Sequence, residues 1–196
     1  EGGAFVFLGS QAGPSLTYVW VSGISRPDST LGVSVAGAGD VNGDGLADIV
    51  VGAPGFDDLG LYDRGRVLLY LGPLTGSRVD PVWTFDGDQA GARLGYSVAG
   101  AGDVDADGFA DIIVGAPFSD SGRVLVFHGS ATGPAVAPDW SARSTQSPAE
   151  IGAAVAGAGD VDGDGFSDVV VGAPKLGDAS QPAEGQIRVF TGGLHG

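Results

Sequence analysis

Three short stretches of this chain crowd carboxylates together. Asp160, Asp162, Asp164 and Asp168 stand at positions 1, 3, 5 and 9 of a nine-residue loop. Asp103, Asp105, Asp107 and Asp111 repeat the spacing, and Asp40, Asn42, Asp44 and Asp48 repeat it with one amide in place of an acid. Like charges at that density repel unless a cation sits among them. An all-oxygen donor set suits a hard ion, and calcium takes six to eight oxygens in flexible geometry. Position 6 is Gly45, Gly108 or Gly165, where a sharp turn with positive φ is expected. Position 7 is Leu46, Phe109 or Phe166, whose side chains cannot ligate, so the backbone carbonyl is the expected donor. The spacing predicts three calcium sites.

One such loop alone could be a bare Asx turn. Three copies in equivalent contexts argue for metal. The pattern shares the first half of the EF-hand loop, but no Glu stands at position 12, and strand patterns rather than helices flank it. Eleven of the 24 acidic residues belong to the loops, three in the first and four in each of the others. Three calcium ions would bring the formal charge of −15 to −9. That acidity argues against nucleic acid as a partner. Cysteine is absent, which removes disulfides and thiolate chemistry. There is no signal-peptide pattern and no apolar run of transmembrane length, so no membrane insertion is expected. The chain opens inside a strand pattern, so any targeting segment is expected to have been removed or to lie upstream.

The elements that carry the loops repeat with them. Leu31-Gly32, Leu94-Gly95 and Ile151-Gly152 open three similar units, their glycines 63 and 57 residues apart. Each unit continues with a Gly/Ala strand (34–39, 97–102, 154–159), whose small residues suit close backbone approach. The loop follows, then a short β-branched strand ending in Gly-Ala-Pro (48–54, 111–117, 168–174), read as buried on both faces. A variable loop leads to strand three (66–71, 123–128, 186–191), and strand four lies around Trp83 and Trp140. Residues 3–10 match strand three and residues 18–20 match strand four. The boundaries are therefore 1–22 for strands three and four of one blade, 31–86 and 94–141 for whole blades, and 151–191 for strands one to three of a last blade.

Four short strands per unit of about 60 residues indicate an all-β fold of antiparallel β-propeller blades. In detail the units resemble FG-GAP repeats, the integrin-α-type propeller. Gly-Ala-Pro stands three times (52–54, 115–117, 172–174) beside three calcium loops, while Phe-Gly is replaced by Leu-Gly or Ile-Gly. The cysteine-free, Gly/Ala-rich sequence with Gly-Ser-x-x-Gly-Pro turns resembles the bacterial branch rather than an animal integrin. The resemblance implies that the calcium loops lie on one face and that partners bind the opposite one. There the loops would be 55–65, 118–122, 175–185, 22–30, 86–93 and 141–150. It further implies an extracellular or cell-surface protein.

Other chemistry is thin. His128 is expected exposed on one face of its sheet, and His195 lies in the tail, so no catalytic triad is expected. Asp57, Asp58 and Asp63 read as a solvated acidic loop. Arg26, Arg93 and Arg143 read as scattered. Trp20, Trp83 and Trp140 could line sugar pockets, but residues repeated in every blade more often pack blade on blade. The reading is a calcium-stabilised, non-catalytic interaction module with a protein or glycan partner. The alternatives are a carbohydrate-binding propeller and the scaffold of an enzyme such as a polysaccharide lyase. About three blades cannot close a propeller, which needs four or more. The rest is expected from a longer chain, or from a second copy in a homo-oligomer whose residues 4–21 complete the last blade.

Overall fold

The structure is a computed structural model and describes residues 2–18, 20–22, 24, 26–75, 79–177 and 183–194, with residues 20–22 as backbone alone. Val19 and His195 lie outside the described residues, as do residues 23, 25 and 178–182 of the variable loops.

Among the described residues the chain forms thirteen strands and no helix. β1 (Ala4–Val6) and β2 (Trp20–Ser22) pair as a two-stranded sheet. β3 (Ser34–Gly39), β4 (Asp48–Ala53), β5 (Arg66–Tyr70) and β6 (Trp83–Asp86) form the first full sheet. β7 (Ser97–Gly102), β8 (Asp111–Ala116), β9 (Arg123–Phe127) and β10 (Trp140–Arg143) form the second, and β11 (Ala154–Gly159), β12 (Asp168–Ala173) and β13 (Gln186–Phe190) the third. Every pairing is antiparallel and sequential, so each sheet is a meander. The strands follow the predicted order, with β1 shorter than the predicted 3–10 and β2 starting at Trp20 rather than at residue 18. Among the described residues the blades form an open array, with no sheet closing on another.

The second strand of each blade is the most apolar because both faces are covered; β8 is buried along its whole length. The first strands are small because blades stack through them. A Cβ on Gly100 would come 2.9 Å from the Gly37 carbonyl oxygen, and one on Gly157 would come 2.7 Å from that of Gly100. Each first strand carries a bulge next to the loop, between Gly37 and Gly39 in β3 and at the matching places in β7 and β11. The bulge turns the chain into the acidic loop. Leu31, Leu94 and Ile151, which replace the aromatic of the resemblance, are buried. Gly32, Gly95 and Gly152 each donate from backbone N to the glycine of Gly-Ala-Pro in their own blade.

Trp83 of the first blade meets Phe127 of the second edge-on at 5.0 Å, and Trp140 meets Phe190 of the third at 4.9 Å. Trp83 and Trp140 therefore pack blade on blade. The outermost faces remain apolar and open: Phe5 and Phe7 at one end, Ile187 and Val189 at the other, are each more than half exposed.

Candidate metal centre

Each loop is folded by its own acids. Position 1 accepts twice: Asp40 takes the backbone N–H groups of Asp44 (3.0 Å) and Gly45 (2.8 Å). Asp103 does the same with Asp107 and Gly108, and Asp160 with Asp164 and Gly165. Position 3 accepts from the N–H of position 5 in all three copies. Position 5 accepts from the N–H of position 7, so Leu46, Phe109 and Phe166 are held by their nitrogens. Position 9 joins the loop to the rest of the blade. Asp111 Oδ2 accepts from Val104 (2.7 Å) and Oδ1 from Gly129 (2.7 Å), just beyond β9. Asp48 and Asp168 repeat both bonds, to Val41 and Gly72 and to Val161 and Gly192. All three position-9 carboxylates are fully buried.

The turn geometry follows. Gly45, Gly108 and Gly165 have φ of 84°, 94° and 96°, as predicted. A second left-handed residue precedes them at position 4: Gly43 at 73°, Gly163 at 80° and, without a glycine, Ala106 at 59°. The two glycines at position 4 were the available signal for it.

The acids converge. Asp103, Asp105 and Asp111 each place an oxygen within 4.8 Å of the other two, and so do Asp160, Asp162 and Asp168. Oxygens on opposite sides of one calcium ion lie about 4.8 Å apart, so both triplets fit a single ion. Asp107 and Asp164 stand outside these triplets. Loop one has the same backbone frame, but Asn42 turns its amide nitrogen onto Asp44 Oδ2 at 3.1 Å. Burial pushes the carboxyl of Asp111 up to about 6, against two backbone N–H bonds that oppose the rise. Burial also raises Asp48, and it raises Asp105 against the opposing pull of His128. A cation would remove this cost by supplying the missing counter-charge.

The loops also touch one another. The Asp40 carbonyl accepts from Ala110 N–H (3.0 Å) and the Asp103 carbonyl from Ser167 N–H (2.9 Å). The carbonyls of Val41 and Val104 accept from Ser130 and Gly193 of the next blade. A Cβ on Gly43 would come 2.7 Å from the Phe109 ring, so position 7 of one loop rests on position 4 of its neighbour.

Two expectations need correction. His128 is not exposed: its side chain is about four-fifths buried, and its Nδ1 lies 3.0 Å from Asp105 Oδ2. The loop of Asp57, Asp58 and Asp63 is solvated as expected, but Arg26 and Arg93 are not scattered: both face it. Asp57 Oδ1 accepts from Asp63 N–H, Arg93 donates to Asp63, and Arg26 lies 3.6 Å from Asp58. These contacts tie the loop after β4 to those after β2 and β6 at the sheet edge opposite the acids.

The FG-GAP repeat profile matches residues 31–70, 94–127 and 152–190, and each match spans one acidic loop. The chain belongs to the FG-GAP repeat family. It is 38% identical over 160 residues to integrin alpha pat-2 of Caenorhabditis briggsae, covering 72% of this chain and 13% of that protein. It is 38% identical over 160 residues to integrin alpha-5 of Xenopus laevis, covering 74% and 15%. To integrin alpha-4 of the same species it is 32% identical over 176 residues, covering 86% and 17%. The chain thus spans about one-seventh of these relatives' length. They are animal proteins, and nothing in them bears out the resemblance to a bacterial branch.

Proposed function

We propose that this FG-GAP array is a calcium-stabilised, non-catalytic adhesion and interaction module of an extracellular or cell-surface protein. The observation that carries the reading is the convergence of three acids within 4.8 Å in loops two and three, on frames that loop one repeats. Asp40, Asn42, Asp44 and Asp48 would hold the first ion, with the carbonyl of Leu46. Asp103, Asp105, Asp107 and Asp111 would hold the second, with the carbonyl of Phe109. Asp160, Asp162, Asp164 and Asp168 would hold the third, with the carbonyl of Phe166. The ions would supply charge and rigidity, not chemistry. The adhesive role is supported by similarity to integrin alpha chains and by loops that differ between blades on one edge of a repeated scaffold. Those loops are the proposed contact surface for a protein partner. The sugar-pocket reading of the tryptophans loses support, since Trp83 and Trp140 are packed between blades.

Calcium titration calorimetry tests the metal reading. Three ions per chain are expected, and a chain that takes up none would overturn it. A glycan array and a binding screen against extracellular proteins, each with calcium and with chelator, test the partner class. Glycan-only binding would favour the sugar-binding alternative. The exposed apolar end faces call for further blades, from a longer chain or from a second copy. Light scattering on the isolated chain separates these, because completion by copies predicts a dimer.

A further inference from the structure

We infer that His128 is a positioning residue for the second calcium loop, holding Asp105 in its ligating orientation before the ion arrives. The inference rests on the calcium reading above and adds a ranking that the acids alone do not give.

His128 directly follows β9, and its backbone N–H donates to Asp139 Oδ2 at 2.8 Å. That bond fixes where the residue leaves the strand. The ring then lines a cavity of about 30 Å³ between the second and third blades, beside Val104, Trp140, Ser167, Phe190 and Thr191. Its Nε2 is buried without a hydrogen-bond partner among the described residues. A buried, unsatisfied nitrogen is unfavourable, so packing alone does not explain a histidine here. The compensation lies at the other nitrogen, 3.0 Å from Asp105 Oδ2. A carboxylate oxygen at that distance favours a proton on Nδ1.

Asp105 is then gripped at both oxygens. Oδ1 accepts from Asp107 N–H at 3.2 Å, and Oδ2 faces the imidazole. The equivalent residue is Leu71 in the first blade and Thr191 in the third. In loop three, Asp162 Oδ1 has the matching backbone bond, but the residue is exposed. In loop one, the position-3 side chain is turned onto Asp44 instead. Loops two and three carry the same four acids, yet loop two alone has this brace among the described residues. Preorganised ligands lose less freedom on binding. Loop two is therefore the tightest of the three sites.

The test compares calcium titration calorimetry of the full chain as wild type, His128→Leu and His128→Asn. Melting of each protein in chelator is followed by circular dichroism. Removing an outer-shell partner of a metal ligand typically weakens binding by about 10–100-fold, so His128→Leu is expected to lose at least about tenfold at the tightest site only. Its melting temperature in chelator is expected to be no lower than wild type, because Leu removes the buried unpaired nitrogen. Asn places an amide nitrogen where Nδ1 stood, so His128→Asn is expected to retain most of the affinity. An unchanged tight site in His128→Leu overturns the assignment, as does an Asn variant no better than Leu. Losses shared by all three sites with a lower chelated melting point also overturn it, in favour of a general packing role. A wild-type chain that takes up no calcium overturns the calcium reading, and this assignment with it. Three intact sites in wild type and in His128→Leu overturn the assignment alone.

Discussion

The two edges of each blade solve different problems with the same residue types. At the acidic-loop edge, aspartates accept from backbone N–H groups in one pattern, repeated three times almost bond for bond. At the opposite edge, acids meet arginine or lysine in pairs that are not repeated from blade to blade. Arg66 grips Asp86 with two nitrogens and lies over the Phe56 ring, Arg93 pairs with Asp63, and Lys175 pairs with Glu150. One edge is fixed by the fold and leaves its acids short of positive charge. The other neutralises its acids locally and is free to vary.

Chelation should separate the edges most. A ligand that binds only the folded state stabilises it by about 2.7 kcal/mol per site at a hundredfold excess over Kd. Three sites therefore predict a melting temperature lower by roughly 15 °C or more in chelator, since each kcal/mol moves a domain of this size by about 2–4 °C. An unchanged melting temperature would remove calcium from the account of stability.

Single substitutions sharpen the contrast. Asp111→Ala orphans the buried N–H groups of Val104 and Gly129. At about 1–3 kcal/mol for each of the two orphaned donors, a loss of roughly 2–6 kcal/mol is expected from denaturant melts in calcium. Arg93→Ala breaks the Arg93–Asp63 pair, in which both side chains are substantially exposed, and should cost no more than about 1 kcal/mol. Equal losses would break the comparison.

Acidity should act with opposite signs in the two metal states. The folded-state value of Asp111, about 6, lies above its ordinary 3.8, so the folded chain holds a proton that the unfolded chain has lost. That contribution is fully present below about 4 and is lost as pH rises through about 6. Chelated protein should therefore melt higher at pH 5 than at pH 7.5. Calcium-loaded protein should melt lower at pH 5, because protons compete with the ion. Melting curves at both pH values, with and without calcium, check both signs.

Asn42→Asp adds the missing fourth charge to loop one. It should tighten that site, expected to be the weakest, by about tenfold in calorimetry, since ligand charge tunes affinity. The smallest effect is expected from Ala106→Gly. Ala106 alone occupies position 4 without being a glycine, at φ 59°. Left-handed backbone costs a non-glycine residue on the order of 1 kcal/mol, so a gain of about 0.5–1 kcal/mol should appear in denaturant melts.

Most of the frame was legible from sequence because each device occurs three times. The strands, the loop spacing and the position-6 glycines all carry local signals, and repetition separates them from chance. The bulge at Gly37–Gly39 was hidden because a bulge adds one residue without changing residue type. The brace from His128 to Asp105 was hidden for another reason: 23 residues separate them, and no other copy has a histidine there. The pairs Arg26–Asp58 and Arg93–Asp63 were missed likewise, since charges on separate loops give no periodic signal.

The hydrogen bonds between neighbouring loops run one way. The later blade donates through Ala110 or Ser167, and the earlier accepts through Asp40 or Asp103. This is a head-to-tail junction, the heterologous kind that yields a ring when its rotation divides a full turn and an open filament when it does not. The contacts themselves contain no stop signal. Blade number in such a protein is therefore a property of the angle between neighbours, and a substitution that alters this angle changes the count without touching a bond.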